Sequence, residues 1–196
     1  MEPHPVSPEV FTHVRVIIGI VLGLSISRLL TGLARFVQHP SREVIYPVHI
    51  GWVAFLLLAV VHFWWFEFYL HALPHWNFEI YLFLIFYASL YFLACTLLFP
   101  DTMSEYTGYQ DYFMSRRKWF FGIVALIFAV DLIDTLIKGM DHYRSFGVEY
   151  PLRAAVFVVG SLLAIFISNR RFHVALVTLA LVYEIAFILR QFSTLS

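Results

Sequence analysis

Charged residues and cysteine are both scarce in this sequence. Only 13% of its 196 residues are Asp, Glu, Lys or Arg, whereas soluble domains usually contain about 25%. The single cysteine, Cys95, excludes an internal disulfide framework. The formal net charge is zero and the basic residues are scattered, so no nucleic-acid-binding surface is expected. Hydrophobic residues, in contrast, make up 61% of the sequence. A high hydrophobic content together with a low charged content indicates an integral membrane protein.

Six apolar segments are long enough to span a bilayer, which requires about 20 mostly apolar residues in a helix. We predict membrane helices at about 12–36, 46–71, 79–99, 118–138, 152–168 and 172–192. Because the connections are short, the sequence predicts an all-α integral membrane bundle, with residues 1–196 as a single transmembrane domain. The polar stretch 102–117 contains tyrosines at near-helical spacing, which fits either a helix lying on the membrane surface or a loop.

Lys and Arg are unevenly divided between the two sides of the predicted membrane. Seven lie at the connections between helices 1 and 2, 3 and 4, and 5 and 6, against five on the other side. The positive-inside rule therefore predicts that both termini lie outside. Helical spans favour a bacterial inner membrane over an outer one. The stretches GLSISRLLTGLARF (23–36) and RRKWFFGIVALIFAVDLIDTLIKG (116–139) resemble, in general pattern, those of small bacterial inner-membrane proteins, which implies no particular activity.

Several ionisable residues lie within the predicted helices, where each costs about 2.5–3.5 kcal/mol to insert. Such residues usually face the interior of a bundle and mark a pathway for ions or protons. Positions estimated from the helical rise predict a column that runs from the midplane to the outer face. Arg28, near the middle of helix 1, is expected to pair with Glu184 or Asp131. The candidate path residues are Asp131, Asp134, Glu184, Arg28, His62, Glu67 and Arg153.

The fourth helix is the centre of this prediction. Asp131, Asp134 and Lys138 are spaced by three and four residues, so they share one helical face with Thr135. Two carboxyl groups one turn apart repel each other when both are ionised, so at least one is expected to retain a proton. A protonatable acid in apolar surroundings suits a proton path or a cation site. The same charges also fit a structural ion-pair network that fixes how the helices pack.

The outer end of the predicted column offers additional ligands. The run HFWWFEFY (62–69) fits an aromatic belt at the membrane interface, or a pocket for a flat lipophilic ligand such as a quinone. Nitrogen and oxygen ligands suit a metal ion, for which the weak candidates are His62, Glu67, Asp131 and Asp134, although the sequence contains no HExxH or CxxC. No cofactor is required by the sequence. Five further residues are expected to lie around the outer end of the column, which we call the outer mouth: His13, Arg15, His71, His75 and His142.

Two other helices carry a recognisable pattern. Helix 1 has small residues four apart at Gly19, Gly23, Ser27 and Thr31, which lets two backbones approach closely. This stripe predicts packing within the bundle or the interface of a homo-oligomer. The third helix has no charged residue in its interior, so we expect it to face lipid more than the others, with its tyrosines used for packing or weak hydrogen bonds.

These patterns leave three classes of function open. The preferred class is a proton or cation channel or transporter that uses the intramembrane column. The inner half of the bundle lacks an evident polar exit, so a conducting form is expected to need an oligomer. The second class is a membrane-embedded enzyme or redox protein that acts on a lipid or quinone from the outer leaflet. The third is a non-catalytic sensor, accessory subunit or effector; the sequence contains no P-loop, G-x-S-x-G or other catalytic signature.

Overall fold

The computed structural model describes residues 8–39, 44–73 and 75–191, and these residues form helices and no β-strand. The helices are α1 (Pro8–Gln38), α2 (Pro47–Phe66), α3 (Phe78–Thr96), α4 (Tyr109–Ile137), α5 (Met140–Ser145), α6 (Glu149–Phe166) and α7 (Arg170–Gln191). All except α5 are long and apolar enough to cross a membrane, which gives six spans among the described residues. The prediction of an all-α multi-pass membrane bundle is confirmed.

Some helix boundaries differ from the predicted ones. α2 ends at Phe66 and continues as a 3₁₀ helix, Glu67–Ala72. α4 begins at Tyr109, well before the predicted residue 118. The stretch 102–117 was expected to be either an interfacial helix or a loop, and neither alternative describes all of it. Residues 102–108 are not helical, whereas 109–117 are the first turns of α4, where the buried Tyr112 donates a hydrogen bond of 2.8 Å to the Leu97 carbonyl. Residue 192 of the last predicted helix lies outside the described residues, and so does Arg42, one of the seven basic residues counted at the connections between helices 1 and 2, 3 and 4, and 5 and 6.

Local sequence signals explain where several helices begin and end. α2 begins with Pro47. Proline suits this position because a backbone N–H in the first turn of a helix has no partner within the helix, so its absence costs nothing. α3 is capped by Asn77, whose side-chain oxygen accepts from the Ile80 N–H at 2.8 Å. α4 ends at Ile137, and the chain turns at Gly139, whose φ of +122° is a conformation that other residues rarely adopt. This turn lets the chain enter α5 and return to the membrane through α6.

The spans alternate in direction, so their ends gather at two faces of the bundle. At the first face α1, α3 and α6 begin and α2, α4 and α7 end; at the second face the opposite ends meet. α4 packs along α6, α1 along α3, and α2 along α7, whereas α6 and α7 touch over only a short stretch. A larger share of α3 is buried than of α1, α6 or α7, so the prediction that this helix faces lipid most is wrong.

Of the four small residues in the stripe of α1, one is packed against another helix and three are exposed. Gly19 lies against the Trp64 indole, which occupies the space that a Cβ would need. Gly23, Ser27 and Thr31 are exposed, and a Cβ on Gly23 would meet nothing within 4 Å. A tight contact is found instead at Gly32, which is not part of the stripe and lies against the ring of Phe99, just after the end of α3.

Replacing Gly32 by alanine is expected to destabilise the bundle by about 1–3 kcal/mol, the usual cost of overpacking a core. The added Cβ would overlap the ring of Phe99, which is buried against this glycine. Gly23→Ala is the matched control, because it adds the same methyl group to the same helix in open space. Thermal unfolding in detergent measures both, and equal melting temperatures for the two variants would contradict the close packing at Gly32.

Candidate functional site

A group of buried charged and polar side chains lies between α2, α3, α4, α6 and α7, and we call it the polar column. Its members lie within about two and a half turns of the helix ends at the first face, so the column occupies that side of the bundle. The charged or titratable members are His62, Glu67, Asp131, Asp134, Lys138, Arg153 and Glu184. The hydroxyl groups come from Tyr87, Thr135 and Tyr150.

Asp131 of α4 is the most heavily hydrogen-bonded acid of the column. Arg153 Nη2 and the Tyr150 hydroxyl donate to its Oδ2 at 2.9 and 2.8 Å, and the Tyr87 hydroxyl donates to Oδ1 at 3.1 Å. The Tyr150 hydroxyl also contacts the Thr135 hydroxyl one turn further along α4. Three helices are therefore fixed to one carboxyl group, whose two oxygens both have partners.

His62 and Glu184 form a second pair that joins α2 to α7. The Nδ1 atom of His62 lies 2.6 Å from Oε1 of Glu184, and both side chains are at least 90% buried. A contact this short between a ring nitrogen and a carboxyl oxygen requires a proton on one of them. The Phe187 ring packs against both this histidine and the guanidinium of Arg153, with which it makes a cation–π contact at 4.6 Å.

A small cavity lies between these two pairs. Its volume is about 30 Å³, and its polar walls are His62, Glu184, Asp131, Arg153 and Tyr150. A space of this size admits a water molecule, and the walls offer the two to four polar partners that a buried water needs. The cavity is therefore large enough for one water molecule between the His62–Glu184 pair and the Arg153–Asp131 pair.

Lys138, Glu67 and Asp134 form a third cluster at the first-face end of the column. Lys138 Nζ donates to Oε1 of Glu67 at 2.9 Å and to Oδ2 of Asp134, and it lies 4.1 Å from the centre of the Phe66 ring. The side chains of all three members are at most 3% exposed. The second oxygen of each carboxyl group has no hydrogen-bond partner among the described residues. Two buried carboxyl groups thus share one ammonium group.

The charges of the polar column do not balance. Four carboxyl groups face two permanent cations, Lys138 and Arg153, and protonation of His62 adds a third positive charge. If all four acids were ionised, a negative charge would remain in a region of low dielectric, which is strongly unfavourable. The column is therefore expected to hold at least one further proton or a bound cation. The acids are Glu67, Asp131, Asp134 and Glu184.

An aromatic layer closes the column on the side of the second face. Phe128, at the floor of the cavity, stacks on Phe157 with ring centres 4.1 Å apart and planes 13° apart. Phe55 packs against both rings, and Trp52 packs against Phe55 in turn. Phe120 and Phe121 continue the layer around Trp52. These rings separate the polar column from the second face.

Arg28 does not belong to the polar column, and its expected pairing with Glu184 or Asp131 is wrong. At the second face it donates to the Asp101 carboxylate and, at 2.9 Å, to the Phe99 carbonyl. Arg35 donates to the Pro100 carbonyl, so both arginines satisfy the free carbonyls that follow α3. The hydrogen bond from Arg28 holds the pKa of Asp101 below its usual range. Arg28 is therefore a capping residue.

The metal ligands suggested by the sequence are not arranged as a metal site. Among residues 8–39, 44–73 and 75–191, no group of three or more His, Cys, Asp or Glu side chains is placed to hold a metal ion. His62 pairs with Glu184, Asp131 with Arg153, and Glu67 and Asp134 share Lys138. The four candidates are thus divided among three partners, and they do not converge on one point.

Of the residues expected at the outer mouth, His142 adjoins the column. Its ring packs on Phe66 and Tyr69, and burial together with the nearby Lys138 lowers its pKa. Arg15 lies instead over aromatic rings outside the column, and His71 packs on Phe68. His13 stacks on Tyr81, and His75 is exposed.

The aromatic residues of the run 62–69 lie partly in the interior of the bundle and partly on its outer surface. Phe63 and Phe66 are buried toward the column, whereas Trp64, Trp65 and Phe68 are between 38% and 54% exposed. The exposed half fits the aromatic belt expected from the sequence. The buried half forms part of the cavity wall rather than a pocket wide enough for a ring.

From the sequence, the tyrosines of the third helix, Tyr87 among them, are expected to serve packing or weak hydrogen bonds without a partner, and Tyr150 is not singled out. Tyr87 lies in a helix without interior charges, and Tyr150 lies near the start of α6; both are at most 1% exposed and donate to Asp131. Tyrosine needs a hydrogen-bond partner when it is buried, so a tyrosine deep in an apolar span was the available signal.

The geometry defines a class, a multi-pass membrane bundle with a buried polar column whose charges do not balance and which lies nearer one face. Comparison of the chain with protein-family models, with curated proteins and with solved structures finds no match. The function is therefore argued from the column itself.

Proposed function

We propose that this protein transports protons, or another small cation, across the membrane by way of the polar column. The observation that carries the proposal is the charge imbalance: four buried carboxyl groups share the column with two permanent cations. A site that must bind an exchangeable positive charge to become neutral is what a cation transporter needs. The aromatic layer at Phe128 and Phe157 favours a transporter that changes conformation over a permanently open channel.

The contacts suggest an order for the proton path. A proton arriving from the first face meets Glu67 and Asp134, which compete for Lys138. Asp134 lies three residues from Asp131 on the same face of α4, and Asp131 accepts a hydrogen bond from Tyr150. From there the water-sized cavity leads to Glu184 and His62, where the path stops at the aromatic layer. Movement of α6 relative to α4 would open the second half of the path.

Neutralising an acid of the column is expected to reduce proton flux to the level of empty liposomes. Asp134→Asn and Glu184→Gln are the most informative changes, since Lys138 keeps Glu67 as its partner and His62 can become neutral. The assay follows a pH-sensitive dye inside proteoliposomes, driven by a potassium gradient with valinomycin. Asp101→Asn is the matched control, because it removes an exposed carboxylate at the second face.

Three results decide this experiment. Wild-type flux that survives in Asp101→Asn and disappears in folded Asp134→Asn supports the column as the path. Flux that persists in both column variants would show that protons take another route. Wild-type liposomes that acidify no faster than empty ones contradict proton transport, and the same assay with sodium or potassium indicators then tests other cations.

Orientation and assembly form part of the proposal. The excess of Lys and Arg at the second face supports placing that face in the cytoplasm of a bacterial inner membrane, with the first face and the termini outside. The exposed small residues Gly23, Ser27 and Thr31 support a homo-oligomer packed through α1. Protease accessibility in inside-out vesicles and cross-linking through a cysteine at position 23 test these two proposals.

The alternative, an enzyme or redox protein acting on a lipid or quinone, is favoured by one observation: the column is closed at its inner end, as a pocket would be. Size argues against it. The cavity of about 30 Å³ is far smaller than the roughly 150 Å³ that a single benzene ring occupies in a protein core. Transport of a proton or a small cation fits the space that is present.

A further inference from the structure

A group of basic side chains lies at the second face, around the turn between α6 and α7. Arg117 of α4 donates a hydrogen bond of 2.8 Å from Nη2 to the Ser168 hydroxyl in this turn. Arg170 and Arg171 follow as the first two residues of α7, and Lys118 is the next residue of α4. We call Arg117, Lys118, Arg170 and Arg171 the basic cluster. It forms because α4 packs against the α6–α7 turn, which brings together two segments that are distant in sequence.

The positive charge of the basic cluster is not balanced by acids. None of its members forms an ion pair with another of the residues that the structure describes. By contrast, Arg28 at the same face is paired with Asp101, and Arg116 donates to the Tyr106 hydroxyl. Like charges gathered without a counter-charge repel one another and create a positive potential. The basic cluster is therefore expected to attract an anion.

The position of Arg170 and Arg171 strengthens this expectation. The N-terminal end of a helix carries a partial positive charge, which favours Asp and Glu and disfavours Arg. The first turn of α7 nevertheless contains both arginines and no acidic residue. Both arginines are exposed, so burial in the bundle does not explain their position. An anion at this place would be stabilised by the two guanidinium groups and by the end of the helix together.

The basic cluster lies at the depth of the lipid headgroups. The spans Glu149–Phe166 and Arg170–Arg190 are joined by residues 167–169, so this turn marks where the chain leaves the apolar layer and enters it again. The hydrogen bond to the turn holds Arg117 at the same depth. On the membrane side of the cluster, Trp119 and Phe166 are 69% and 79% exposed and offer apolar surface to acyl chains.

We propose that the basic cluster binds an anionic phospholipid, such as phosphatidylglycerol, with its headgroup phosphate against Arg170 and Arg171. The depth of the cluster and the exposed aromatic rings beside it favour a lipid over a soluble anion or an acidic protein. A zwitterionic lipid is a poorer partner, because its own ammonium group is repelled by the cluster. The proposal does not depend on proton transport, since the polar column lies at the other face and shares no residue with the cluster.

Native mass spectrometry of the full-length protein in detergent micelles tests the proposal. The probes are phosphatidylglycerol and phosphatidylcholine with the same acyl chains, titrated separately. We expect phosphatidylglycerol to bind at least about tenfold more tightly, because each basic residue near a membrane surface adds roughly a fivefold preference for anionic lipid. Phosphatidylglycerol should also raise the melting temperature, as a ligand of the folded state does. Equal affinity for the two lipids would overturn the proposal.

Single variants show whether the basic cluster is the site. Arg170→Gln and Arg171→Gln are each expected to weaken phosphatidylglycerol binding about fivefold. Neither should lower the melting temperature of the lipid-free protein, because each removes a positive charge from the positive end of α7. Arg144→Gln is the matched control, since Arg144 is an exposed arginine of α5 at the first face.

Two results decide the comparison. Weaker binding that is confined to the Arg170 and Arg171 variants, with the melting temperature retained, supports the basic cluster as the site. Equal weakening by Arg144→Gln would mean that the overall charge of the protein attracts the lipid, and the proposed site would be wrong. Because the readout is lipid binding, absence of proton flux would leave either result unaffected.

Discussion

Lys138→Met is expected to destabilise the folded bundle by about 3–5 kcal/mol, the usual cost of removing one partner from a buried ion pair. The ammonium group is 1% exposed and is the shared partner of Glu67 and Asp134. Without it, two carboxyl groups remain buried together, and both must take up protons to avoid mutual repulsion. The loss of stability should therefore be larger at high pH than at low pH.

The chain provides a matched control for this variant. Lys118 is the only other lysine, it is exposed, and Lys118→Met removes the same charge without breaking a buried contact. Unfolding in mixed micelles at pH 6 and pH 8 measures both variants. A triple variant, Lys138→Met with Glu67→Gln and Asp134→Asn, should recover most of the lost stability, since amides are neutral. If the triple variant is no more stable than Lys138→Met, lost packing on Phe66 rather than charge explains the effect.

The fold could be predicted from the sequence because every helix that crosses a bilayer must have about 20 mostly apolar residues. The helical face that holds Asp131, Asp134 and Lys138 followed from their spacing alone. The partners across helices did not follow. His62 and Glu184 are 122 residues apart, and their contact depends on how α2 and α7 rotate and tilt, which hydropathy does not specify.

The error at Arg28 has a physical cause. Its depth was estimated from the midpoint of the first apolar segment, but α1 has 31 residues and is longer than a membrane requires. The helix extends past the end of α3, so a residue near the middle of the apolar sequence reaches Asp101 at the second face. The hydrogen bond from Tyr87 to Asp131 was not predicted for a different reason. α3 has no charged residue in its interior, so its sequence did not indicate that the helix lies beside a buried acid.

Phe128→Ala is expected to cost about 3–5 kcal/mol of stability, as large-to-small changes of buried aromatic residues usually do. The same change should also increase proton leakage through liposomes, because this ring separates the water-sized cavity from the rest of the aromatic layer. Phe166→Ala is the control, since Phe166 is 79% exposed on the lipid-facing surface and should change neither property. The measurement is unfolding in micelles, paired with the dye assay for proton flux.

The combination of Phe128→Ala with Asp134→Asn identifies the route of any leak. If protons cross through the polar column and then through the space left by the ring, removing the acid should suppress the leak. A leak that persists in the double variant means that the space admits water from elsewhere, and the column is then not the path. A variant that is destabilised but does not leak would show that the aromatic layer has a packing role only. The barrier to transport would then have to lie closer to the second face, where His49 and His173 are buried among aromatic rings.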